Sequence, residues 1–239
     1  MSTKKELKAQ EAQLPAHLQG KEGAARGSEN VGSDDIVLPR ISLLQALSPQ
    51  LDEQDAAFVE GAKAGDILNS LTGENYGREL TIIPVYFRKE YVIWKDRKKG
   101  GGMFGVYQSK QDAAQALATT LEPPLEDYDI MDTAQQFVLV VNADGSLTEA
   151  LMSMSRTKMA VSRKLQSLIR LSGLDSFANQ YKLSVVSAQS DSGKYFNFAV
   201  TPAGYAAEEH YHAAESCYES ITANESRYVA HKETAKEDF

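Results

Sequence analysis

The chain has 239 residues, 42% of them hydrophobic, enough to fill the core of one large or two small domains and too many for wholesale disorder. No stretch reaches the apolar length of a membrane span, and the polar stretch Met1 to Gly20 lacks the apolar segment of a secretory signal. Cys217 is the single cysteine, which excludes an intramolecular disulfide and points to a reducing, cytosolic compartment.

A net charge of -8 speaks against nucleic acid until its distribution is considered. Residues 78–200 hold 15 Lys and Arg against 13 Asp and Glu, whereas the flanks hold 10 against 20. The acidity lies outside the central region, and cations clustered there can still steer a polyanion.

Residues 1–34 are rich in Lys, Glu, Gln, Gly and Ala and read as a mobile arm. From Asp35 an apolar run appears: Ile36, Val37, Leu38, Ile41, Leu43 and Leu44, broken by Pro39 and ended by Ser48-Pro49. Gly65 to Gly73 reads with it as two short extended pieces. Leu80 to Lys95 is the strongest strand signal. Its odd positions (Ile83, Val85, Phe87, Tyr91, Ile93) form a mostly apolar face broken by Lys89, and its even positions (among them Tyr86, Arg88, Glu90, Trp94) mix aromatic and charged groups.

A basic loop follows, with Lys95, Arg97, Lys98 and Lys99 ahead of Gly100-Gly101-Gly102. Met103 to Gln108 is expected to return as a strand, Asp112 to Thr119 to form a short helix, and Glu122 to Asp132 to be an acidic connection. Phe137 to Val141 and Leu147 to Met154 flank the turn Asn142-Ala143-Asp144-Gly145 and read as a hairpin. The period then changes. Val161, Leu165, Leu168 and Ile169 make one stripe of a helix that Gly173 ends. Tyr181 to Val186 and Tyr195 to Val200 form a last hairpin around Asp191-Ser192-Gly193, and Ala206 to about Ala223 is a helix. The order of these elements predicts a mainly β, α+β protein: an OB-like five-stranded barrel with its helix before the fourth strand, plus added N-terminal strands and a C-terminal helix. The expected divisions are an arm at 1–34, the OB-like domain at 35–205, the C-terminal helix at 206–230 and an acidic tip at 231–239.

Sequence-tolerant binders of single strands need cations that follow the phosphates and flat rings on which bases stack. Tyr86, Arg88 and Trp94 beside Lys95, Arg97, Lys98 and Lys99 supply both at strand spacing. Arg156, Arg163 and Arg170, spaced by seven and flanked by Lys158 and Lys164, put a basic ridge on the helix. Tyr195 adds a ring from the last hairpin. The terminal Glu237-Asp238-Phe239 joins carboxylates to an aromatic ring, which suits a basic pocket on a partner protein. No catalytic constellation emerges, so an enzyme is not expected. Ser155-Arg156-Thr157-Lys158 fits S-x-x-K without its companion motifs. His210 and His212, two apart on a helix, make a poor metal pair. No cofactor or metal is expected.

Several segments together resemble a family of phage single-stranded DNA-binding proteins: Leu38-Pro39-Arg40-Ile41-Ser42-Leu43-Leu44-Gln45, Gly65-Asp66-Ile67-Leu68-Asn69, Ile83-Pro84-Val85 with Tyr91-Val92-Ile93-Trp94, Arg163-Lys164-Leu165, Phe177 with Tyr181-Lys182-Leu183, and Gly193-Lys194-Tyr195-Phe196-Asn197-Phe198. The resemblance implies sequence-independent coating of DNA in the host cytoplasm during phage replication, recombination or repair. It also implies a C-terminal tip that recruits replication or recombination enzymes and competes with DNA. Here Lys232 and Lys236 interrupt that tip's acidity. The partners expected are single-stranded DNA, such enzymes and further copies of the chain, with no membrane. A virion or scaffold protein and a single-strand annealing recombinase are the alternatives.

Overall fold

The computed structural model describes Gly27 and residues 37–120, 124–190 and 193–223. Nine strands and three α-helices are found among them. The strands are β1 (Ile41–Leu43), β2 (Ile67–Asn69), β3 (Asn75–Gly77), β4 (Glu79–Lys95), β5 (Met103–Tyr107), β6 (Tyr128–Val141), β7 (Leu147–Ser155), β8 (Asn179–Ser190) and β9 (Gly193–Tyr205). The helices are α1 (Lys110–Thr120), α2 (Met159–Ser172) and α3 (Glu208–Ala223). The protein is thus α+β and mostly strand. The expected arm at 1–34 and tip at 231–239 lie outside the described residues, and those from Val37 onward belong to one compact unit.

β4 organises the fold. Its 17 residues pair with β6 from Thr81 to Lys95 along one edge. The other edge takes β8 at Glu79 to Ile82 and β5 at Tyr91 to Trp94. Between those partners the Ser176 hydroxyl donates to the Val85 carbonyl at 3.1 Å and closes part of the gap. The resulting antiparallel sheet runs β7-β6-β4-β8-β9, with β5 on the far end of β4. A second sheet, β1-β2-β3, stands beside it. It touches β7 through a parallel bridge between Arg40 and Leu151. It reaches β9 through Gln45, whose side-chain amide donates to the Phe196 carbonyl at 3.0 Å and accepts from the Phe196 N–H at 2.9 Å. No closed barrel of strands forms among the described residues, because one side-chain amide replaces a strand ladder at that junction.

The large sheet is covered on both faces. On β6 and β7, Val138, Val140, Ala150 and Met152 point to one side, where they pack with Ile82, Leu183, Val200, and Val161 and Leu165 of α2. Phe137, Leu139 and Leu151 point to the other, against Phe177 and the α3 residues Ala214 and Ile221. This alternation is the two-residue period of a strand. Gly173 ends α2 in the left-handed region at φ 68, as its position after the apolar stripe predicts.

The structure differs from the sequence expectation in three further places. The segment expected as an acidic connection is strand from Tyr128 onward, because β4 offers it a partner as far as Lys95. A register shift against β6 between Pro84 and Tyr86 breaks the strict alternation of β4, so Val85 and Tyr86 both meet the α3 side. The last hairpin runs further than its apolar centre, to Asn179–Ser190 and Gly193–Tyr205.

Candidate nucleic-acid cleft

The face of β6 that meets α3 at Phe137 and Leu139 continues past the helix. Gln135, Thr133, Met131 and Asp129 extend it into a cleft of about 1250 Å³. Val92 and Trp94 of β4 and Ser153 and Ser155 of β7 complete the floor. The β4–β5 loop forms one wall. The β8–β9 hairpin, with Lys194, Tyr195 and Phe196, forms another, and Leu43 to Gln45 approach from the small sheet. Gly100, Gly101 and Gly102 take φ of 107, 62 and 112, a run of left-handed backbone that glycine alone adopts without strain. That turn brings Lys95 and Lys98 to the rim.

Of the residues singled out in the sequence, Trp94, Lys95, Lys98, Arg156, Lys158 and Tyr195 come together around this cleft. The Lys95 ammonium lies 5.2 Å from the centre of the Tyr128 ring, and Phe104 meets that ring edge-on at 5.1 Å. Arg156 sits at φ 49, an unusual backbone for a residue with a side chain, where β7 turns into the helical segment.

The others are placed differently. Tyr86 packs among Phe137 and Tyr218, with ring centres 5.9 and 6.4 Å away, beneath α3. Arg88 is buried and ion-paired with Glu90 at 2.6 Å. Lys99 reaches Asp127 at 3.7 Å. Arg163 lies in a neighbouring hollow, and Lys164 and Arg170 are exposed on α2 and line neither concavity. The Arg97 side chain and Glu237, Asp238 and Phe239 lie outside the described residues. Sequence reasoning assigned no site role to Lys194, beside the last turn, or to Tyr128, in a stretch read as a connection.

Charge in the cleft is mixed. Lys95, Lys98, Arg156, Lys158 and Lys194 make no ion pair among the described residues. Two of the five carboxylates are engaged, Glu90 by Arg88 and Asp127 by Lys99. Asp96, Glu126 and Asp129 remain, so free cations outnumber free carboxylates by five to three.

Along the floor runs a polar chain. Gln135 donates to Glu90 at 3.0 Å and accepts from the Ser153 hydroxyl at 2.6 Å, and Arg40 donates to Ser153 at 3.0 Å. Buried polar groups linked in this way hold the strands of the floor in one arrangement. No group of His, Cys, Asp and Glu able to hold a metal occurs among the described residues.

An open antiparallel sheet with helices on both faces, carrying a mixed aromatic and cationic cleft at the end of one face, defines the class: a mainly β, α+β protein. The chain belongs to the Pam3 phage gp34-like protein family, whose profile matches residues 7–227, and is a phage protein. No curated protein and no solved structure matches it. No helix among the described residues is long and apolar enough to cross a membrane.

Proposed function

We propose that the protein binds single-stranded DNA in this cleft, without regard to sequence, during phage DNA replication, recombination or repair. The observation that carries the reading is the meeting of Trp94 and Tyr195 with five cations that make no ion pair among the described residues, around one concavity. Rings stack on any base, and cations follow any phosphate backbone. The topology supports the same conclusion. Strands β4, β6, β7, β8 and β9, with α2 before β8, follow the order of an OB-type barrel opened between its third and fifth strands. In that fold, the loops joining the first two and the last two strands flank the oligonucleotide site. Here those loops are the β4–β6 connection and the β8–β9 turn, and both line the cleft. The proposed role is binding, with no bond made or broken.

Fluorescence anisotropy of labelled oligothymidylate against the full chain tests the reading. Five phosphate contacts set a slope of log K against log salt of about -3.5, from ~0.7 per contact on a single strand. The triple variant Lys98→Ala, Arg156→Ala, Lys158→Ala is expected to lose about three contacts and flatten the slope to about -1.4. Equal affinity for single strand and duplex, or no binding at low salt, would contradict the proposal and favour an assembly role.

A further inference from the structure

The cleft does not end at Arg156. The same residue lines a second, shallower hollow of about 460 Å³, which it shares with Thr157, Met159, Ala160 and Arg163 and with residues 129–132 at the start of β6. Arg156 is therefore the ridge between two concavities. Arg163 stands in the second turn of α2, and Arg156 precedes that helix at the β7–α2 junction; the two line the hollow together. Both arginines are exposed, and neither forms an ion pair among the described residues. Two carboxylates, Asp129 and Asp132, also line the hollow. The Lys89 ammonium holds Asp132 at 2.9 Å, and this hydrogen bond raises the Lys89 pKa. No aromatic ring lines the hollow, in contrast to the cleft with its Trp94, Tyr128 and Tyr195.

We propose that this hollow is a second subsite, one that binds the phosphate backbone and not the bases, and that a strand leaving the cleft crosses Arg156 and is held again by Arg163. The inference rests on the single-strand reading of the cleft and extends it. It fixes the direction of exit, over the β7–α2 junction. It also predicts that affinity grows with strand length beyond what the stacking cleft accommodates. Guanidinium groups pair well with phosphate oxygens, and a site without rings distinguishes nothing among bases.

The test is the affinity of the full chain for oligothymidylates of about 4 to 16 nucleotides, the span of OB-type sites. The proteins compared are wild type, Arg163→Ala, Arg163→Lys and Arg170→Ala. For wild type, affinity is expected to rise with length and then level off. Arg163→Ala should lose that gain: about eightfold on the longest strand at about 50 mM salt, with the salt slope reduced by about 0.7. Its Trp94 quenching at saturation should match wild type, because no base contact is removed. Arg163→Lys should restore most of the gain, and Arg170→Ala, on the same helix but outside both concavities, should behave as wild type. The subsite is overturned if Arg163→Ala equals wild type at every length, or weakens short and long strands alike. If wild type binds no oligothymidylate, the single-strand reading falls and the subsite with it.

Discussion

Trp94 and Tyr86 stand eight residues apart on one strand, and their neighbours give them opposite roles. Trp94 opens into the cleft, while Tyr86 lies against Phe137 and Tyr218 under α3. Replacing Trp94 by Ala is expected to weaken single-strand binding by about 1–3 kcal/mol, the worth of one stacked base. Replacing Tyr86 by Ala is expected to cost about 2–4 kcal/mol of stability in urea denaturation and to leave affinity unchanged. Arg88 is a further case. Its charge answers the Glu90 carboxylate, which is only 1% exposed. Arg88→Met leaves that carboxylate buried and unanswered, at a cost of about 3–5 kcal/mol. Adding Glu90→Gln, which removes the charge and keeps a partner for Gln135, is expected to recover most of the loss. Recovery of most of the lost stability by the second substitution would identify the pair as a neutralising contact in the cleft floor.

Among the elements, those that follow one period over their whole length were legible in the sequence. The stripe Val161, Leu165, Leu168 and Ile169 gives α2, and Gly173 gives its end. The long apolar run gives β4. Less visible was whatever depends on a distant partner. Tyr128 to Thr133 carries Asp129 and Asp132 and has no clear alternation, yet β4 draws it into the ladder. The shift between Pro84 and Tyr86 turns Tyr86 to the same side as Val85, and Pro84, a residue strands tolerate at bulges, is its only local mark. The Gln45 clasp on Phe196 joins residues 151 apart in the chain and is invisible to any window. Removing it tests its importance. Gln45→Ala is expected to cost about 1–2 kcal/mol and to expose the Phe196 amide, next to Tyr195, to faster hydrogen exchange. Of the candidate site, the β4–β5 loop and Trp94 were legible because charge, ring and glycines are contiguous. Lys194 and Tyr128 join them only through folding.

Across the whole molecule, α3 covers one end of the face and leaves the other end open as the cleft. The helix presents the exposed carboxylates Glu208, Glu209 and Glu219, which discourage a strand from crossing the covered end. Three ionisable groups, two on α3 and one on β8, set the response to alkali. Burial pushes the Cys217 thiol from 9.0 up to about 12, aided by Glu149. A hydrogen bond to Asp175 raises Tyr211, and burial raises Tyr181, each above 10.0. All three are neutral when protonated and ionise earlier in the unfolded chain. Their contribution is therefore complete below about pH 9 and is lost as pH rises through the folded values. Tm is expected to be level from neutral pH to about 9 and to fall above it, and Cys217 to resist thiol reagents near neutrality until the chain is unfolded. The central claim concerns the open end of the face, and Trp94, the only tryptophan in the sequence, reports on it directly. The measurement is Trp94 fluorescence during titration with poly-dT at low salt, followed by added salt. Strong quenching that salt reverses, and that duplex DNA barely produces, is the predicted result. Unchanged fluorescence with no binding to any single strand would contradict it.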